Sequence, residues 1–159
     1  TSWWTYRKKT VMIKTYYNLY IYIKELSIKI NEELQINPTI NIIINDEETG
    51  GYTEFSYKKS DVQVGVVVPS NFLKLGNTQK VNIAAILLHE CCHYKDALGM
   101  TGRERIKKGV KYCNDFNTRK NDEMCIWRRT KKLAKSLNLW NKTFYKNVKN
   151  FVFTSRLTY

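Results

Sequence analysis

Histidine is nearly missing from this chain: there are two in 159 residues, His89 and His93. Any chemistry that needs more than one imidazole must use both. Proline occurs twice and glycine seven times, with no Pro/Gly-rich stretch, low-complexity tract or internal repeat, which argues against a flexible linker between modules. Long apolar runs are also missing. The stretch from Val11 to Ile23 is broken by Lys14 and Asn18, well short of the ~20 apolar residues a membrane span requires. Neither a transmembrane helix nor a secretory signal is expected, and a cytoplasmic or virion-associated protein is. The chain opens at Thr1, so an initiator methionine or a longer leader is expected to have been removed or to lie outside it.

Acidic residues are scarce, 14 against 27 Lys and Arg, for a net charge of +13. Such a balance predicts affinity for polyanions, whether nucleic acid or an acidic partner. A solvated Lys-rich surface accounts for the same charge, and the abundance of Lys, Asn, Ile and Tyr fits an AT-rich coding sequence. Both readings stand. The four cysteines, Cys91, Cys92, Cys113 and Cys125, have neither the spacing of a zinc finger nor that of a disulfide framework. They are expected to be reduced, small apolar core residues, with Cys113 and Cys125 as a minor candidate for a metal pair.

A chain of this length is expected to form one domain, residues 1–159, with a core that needs no disulfides. Apolar residues at Ile13, Tyr16, Tyr17, Tyr20, Ile23, Ile30 and Leu34, with Ser27 the polar exception, predict a helix over about 10–36, ended before Pro38. Strands are expected at 39–44, 52–57 and 62–68, the first two joined as a hairpin through the turn cluster Asp46–Gly51. A buried helix follows from Thr78, a candidate N-cap, to Leu98, with Gly99 as its C-cap. Beyond it, Ile106, Val110, Cys113 and Phe116 suggest one helical face, weakened by Gly109. Thr118 is a candidate N-cap for a helix over 119–137 with a buried stripe of Ile126, Trp127, Thr130, Leu133, Ala134 and Leu137. A basic, aromatic helix with a short extended end closes the chain over 140–153. The order indicates an α+β domain: a small antiparallel or mixed sheet of about three strands packed on the buried helix and further helices.

Within that helix both histidines fall in His89-Glu90-Cys91-Cys92-His93, a His-Glu-x-x-His pattern. At ~100° per residue, positions four apart share a helix face, so two imidazoles can reach one metal while Glu90 stands beside a metal-bound water. Two nitrogen ligands and a proton-accepting carboxylate are the ingredients of zinc-dependent hydrolysis. The neighbours Ile83 to Leu88 are apolar all round, so these polar groups would be buried and need compensation. A catalytic zinc takes a third protein ligand. No histidine remains, and the carboxylates available are Asp96, Glu104, Asp115, Asp122 and Glu123. Asp96 is better placed for a supporting bond to an imidazole, and Glu104 is expected to face water. Glu123 lies inside the apolar stripe, where a cation would compensate it. Glu104 and Asp122 are the alternatives.

An apolar His-Glu-x-x-His helix, about thirty residues of connection and a second helix bearing a glutamate together resemble the gluzincin clan of zinc metallopeptidases. The likeness is to its small members, the minigluzincins and phage-borne or repressor-cleaving peptidases, and it covers about Val62 to Leu137. It implies a zincin-like fold, one Zn²⁺ held by His89, His93 and Glu123, Glu90 as general base, and a protein or peptide substrate. It also implies that the strand before the active helix borders the cleft and pairs with the substrate. Tyr112 and Tyr145 are candidate donors to the oxyanion. One departure is Trp127, at the position where larger gluzincins keep an acidic residue that orients a histidine. Position 99 is glycine, which excludes zincins with a third histidine there. No cysteine precedes the motif as in peptide deformylase. The other function class left open is a virion- or nucleic-acid-associated structural protein whose zincin fold keeps a structural metal or none.

Overall fold

A computed structural model describes the backbone of residues 3–45, 49–70 and 75–158, and the side chains of 17–45, 49–70 and 75–150. It is an α+β structure. Helix α1 (Trp3–Leu34) leads into strands β1 (Thr39–Ile44), β2 (Gly50–Thr53) and β3 (Gln63–Val68). Four helices follow: α2 (Asn77–Leu98), α3 (Gly102–Asn114), α4 (Phe116–Ser136) and α5 (Lys142–Thr158). The short extended end expected within 140–153 is helical instead, α5 continuing to Thr158. Ile13, Tyr16 and residues 46–48 of the expected turn lie outside the described side chains.

Helix α2 is the axis of the core. Every residue from Ile83 to Tyr94 is buried, because α1, α4, α5 and the β2–β3 side of the sheet all pack on it. That is why its apolar pattern has no solvent face. Burying each Leu or Ile stabilises the fold by roughly 1.5–3 kcal/mol, so these residues fix the position of the polar ones between them. Its N-cap is Gly76 rather than Thr78, and Gly99 is the C-cap as expected.

The sheet is mixed, in the order β1-β3-β2. β1 does not form a hairpin with β2: it runs parallel to β3, Thr39 opposite Gln63 through Ile44 opposite Val68. β2 pairs antiparallel with β3, Gly50 opposite Val67 and Thr53 opposite Val64. The reason lies in β3, whose Val64, Val66 and Val68 are fully buried. A strand this apolar is most stable with partners on both edges, whereas the short Gly-Gly-Tyr-Thr strand is suited to an edge.

Two helices depart from the apolar pattern, α1 at two tyrosines and α3 along its expected face. Among the described side chains of α1, Leu19, Ile23, Leu26, Ser27 and Ile30 are buried, so Ile23, Ser27 and Ile30 lie on the core as expected, while Tyr17 and Tyr20 are exposed. Ser27 is tolerated because its hydroxyl donates to the Ile23 carbonyl at 2.6 Å. On α3, Ile106, Val110 and Cys113 are exposed, as are Phe116 and Cys125 on α4; only Cys91 and Cys92 are core cysteines. All four thiols are free.

The inward residue of α3 is Arg105, 3 % exposed. Its Nη1 donates to the carbonyls of Ala97 (3.2 Å) and Met100 (2.6 Å), closing the end of α2. Its Nε donates to Ser56 (2.8 Å) and its Nη2 to Tyr57 (2.7 Å), tying the segment after β2 to the same point. Arg105→Met retains much of the bulk but leaves these carbonyls without their donor. It is expected to destabilise the protein by about 3 kcal/mol, read as a lowered midpoint in urea.

Candidate metal centre

His89 and His93 lie one turn apart on α2, 5 % and 3 % exposed, and both rings point toward α4. Glu123 stands on α4 facing them. With Nε2 protonated, His89 donates to Glu123 Oε2 at 2.8 Å and His93 to Oε1 at 2.8 Å. One donor atom from each of the three residues falls within 4.8 Å of the others, and this group can hold a metal ion. Among the described residues no other cluster of His, Cys, Asp and Glu does so. The donor set fits a divalent cation of intermediate softness: two imidazole nitrogens and a carboxylate, with space for a further ligand on the cavity side.

The electrostatics follow from burial and mutual contact. Burial alone would raise the Glu123 carboxyl, but the hydrogen bonds and charge of the two imidazoles outweigh it and bring it from 4.5 down to about 2. Burial would lower His93, yet the bond to Glu123 and the charges of Glu90, Glu123 and Asp122 carry it above its usual value. In metal-free protein the depressed Glu123 therefore contributes stability above about pH 4.5 that is lost as pH falls toward 2. The raised His93 contributes stability below about 6.5 that is lost as pH rises through its folded value. With chelator present, the melting temperature is expected to be highest between about pH 4.5 and 6.5. Metal affinity should instead climb with pH, since each imidazole must shed its proton to bind. Melting curves across pH, with and without chelator, read both.

Glu90 lies on the same turn, 8 % exposed, and lines the same cavity as the two histidines. The Thr53 hydroxyl of β2 holds it, donating to Glu90 Oε2 at 2.7 Å and lying 3.1 Å from the Glu90 carbonyl. Gly51 permits this approach: a Cβ there would come within 2.7 Å of both Glu90 Cγ and Ile86 Cγ2. Thr53 carries no motif, and its contact spans 37 residues, so no local signal marked it.

The remaining candidates have other partners. Glu104 forms a capping box with Thr101 at the start of α3, and Asp115 caps α4 through Thr118, so neither joins the group of His89, His93 and Glu123. Asp96 makes no bond to an imidazole: it pairs with Lys108 at 2.7 Å and Arg129 at 3.1 Å. Asp122 also pairs with Lys108, at 3.1 Å, and its other oxygen lies 3.8 Å from His93 Nδ1, on the far side of the ring from Glu123. His89 is oriented differently. The Trp127 indole stacks on its ring, centroids 3.9 Å apart and planes 28° apart. An aromatic face thus stands where the resemblance implied a carboxylate.

No protein-family model, curated protein or solved structure matches this chain.

The cavity over these residues measures about 440 Å³ and is walled by Thr49, strand β2, Phe55, Tyr112 and Trp127. The strand bordering it is β2, not the one directly preceding α2, because β3 is central and has both edges paired. Cys113 lines the cavity but does not join Cys125 in a cluster. Of the two tyrosines, Tyr112 is in the wall, its hydroxyl buried without a hydrogen-bond partner among the described residues. Tyr145 is half exposed on α5, beside Trp140, and takes no part in this wall.

Proposed function

We propose that this chain is a zinc-dependent peptidase of the gluzincin type, with His89, His93 and Glu123 as ligands and Glu90 as general base. The observation that carries the reading is that two glutamates, Glu90 buried and Glu123 half-buried, hold different partners at one cavity. Glu123 meets both Nε2 atoms, whereas Glu90 is held aside by Thr53 on the wall of the same open cavity. A structural zinc site closes itself with four protein ligands; three ligands and a nearby unligated carboxylate suit hydrolysis.

When bound, zinc supplies Lewis acidity that activates water and polarises a carbonyl. Glu90 accepts the proton of the attacking water and returns it to the leaving amine. Thr53 keeps the Glu90 carboxylate turned to the cavity. The Tyr112 hydroxyl is placed to donate to the oxygen on which negative charge develops. An extended peptide suits the outer edge of β2, whose backbone borders the cavity and pairs only with β3 among the described residues. The apolar wall of Phe55, Ile86 and Trp127 favours a hydrophobic side chain beside the scissile bond.

Among the described residues no helix is long and apolar enough to cross a membrane, and nothing in the reading requires one. The test is digestion of a mixed peptide library by zinc-loaded protein, with chelator and Glu90→Gln as controls. Zinc-dependent cleavage that both controls abolish is the expected result. Intact peptides throughout, in protein shown to carry zinc, would leave a metal site without this activity.

A further inference from the structure

The positive charge of this protein is concentrated in one part of it. Nine of the 27 Lys and Arg, and none of the 14 Asp and Glu, lie beyond Glu123, so +9 of the +13 falls in residues 124–159. On α4, Arg128, Lys131 and Lys135 occupy the exposed face opposite the stripe that packs on α2. On α5, Lys142, Lys146 and Lys149 are exposed on a face shared with Tyr145. None of these six forms a salt bridge among the described residues. The two stripes meet at an aromatic pair. Lys131 Nζ lies 5.2 Å from the Trp140 ring centroid, and the Trp140 and Tyr145 rings are 6.0 Å apart, edge to face. Tyr145 is 50 % exposed and its ring is open to solvent.

We propose that the outer face of α4 and α5 binds single-stranded nucleic acid, its phosphates tracking the lysine stripes and a base stacking on Tyr145. Charge without neighbouring carboxylates supplies affinity for the backbone, and an exposed ring between the stripes supplies a sequence-tolerant platform for a base. The aromatic pair decides among polyanions. A duplex keeps its base faces stacked internally and has none to offer Tyr145. An anionic membrane calls for an exposed apolar face, but among the described side chains of α5 the apolar Phe144 and Val148 are buried in the core. The proposal is independent of the metal centre, which lies among α2, α4 and β2.

Fluorescence anisotropy with a labelled oligodeoxythymidine of about 15 nucleotides tests it, with a duplex of equal length and anionic lipid vesicles as competitors. The single strand is expected to bind with an affinity that falls steeply with salt. The duplex should bind roughly tenfold more weakly. Tyr145→Ala should weaken single-strand binding about tenfold and Tyr145→Phe should restore it, stacking being lost in one and kept in the other. The double change Lys142→Gln and Lys146→Gln should reduce the salt slope by about 1.4, two phosphates at ~0.7 each. The Tyr145 hydroxyl makes no hydrogen bond among the described residues, and unchanged melting of its variants confirms that only the surface is altered. Equal binding of duplex and single strand, no effect of Tyr145→Ala, or stronger competition by vesicles than by unlabelled oligonucleotide overturns the proposal.

Discussion

Replacing Glu123 by Ala is expected to remove stoichiometric zinc binding and peptide cleavage together. Glu123 is the one carboxylate that meets both Nε2 atoms, each at 2.8 Å, so its loss leaves two imidazoles as the entire protein ligand set. Zinc affinity should fall at least ~100-fold, more than is typical for losing a group that merely supports a ligand. No neighbour can take its place. Asp122 sits on the Nδ1 side of His93, engaged with Lys108, and Glu104 is committed to capping α3. Asp122→Ala, the matched control, should keep one zinc per chain. Isothermal titration of chelator-stripped protein measures both. Full zinc occupancy in Glu123→Ala would move the third ligand to another residue.

Glu90→Gln should separate binding from chemistry. The glutamine is isosteric and its oxygen still accepts from Thr53, so the contact between β2 and α2 survives. Gln does not take a proton, however. Cleavage should drop by two or more orders of magnitude, roughly the contribution of general-base catalysis, while zinc content and melting temperature stay near those of the unaltered protein. Hydrolysis that persists at its original rate in Glu90→Gln would remove Glu90 from the mechanism. A simultaneous loss of zinc would make it a ligand.

The two substitutions probe residues that were legible in the sequence for different reasons. His89, Glu90 and His93 follow from helical geometry alone, since positions four apart must share a face once the helix is granted. Glu123 was legible because an anion on the stripe of Ile126, Thr130 and Leu133 needs a cation. Residues joined by no local period escaped. Thr53 reaches Glu90 from a four-residue edge strand, and Arg105 is buried by carbonyls from two separate segments. The strand order was hidden for the same reason: β1 and β3 pair across an intervening strand, and composition does not encode such a crossover. Tyrosine misled on α1, where it counts as apolar in a periodicity but places its ring at the surface at Tyr17 and Tyr20. On α3 the exposed Ile106 and Val110 outweighed Arg105 in the pattern. One missed signal was local. Thr101-x-x-Glu104 is a capping-box pattern, and that pattern by itself commits the Glu104 side chain to the helix start and away from a metal.

The ligand set itself is the central claim, and zinc X-ray absorption on protein loaded with one equivalent of metal tests it most directly. The account predicts only nitrogen and oxygen neighbours at about 2.0–2.2 Å, with the outer-shell scattering of two imidazoles. A sulfur neighbour near ~2.3 Å, which would implicate Cys113 or another thiol, or a spectrum of fewer than two imidazoles, would contradict it.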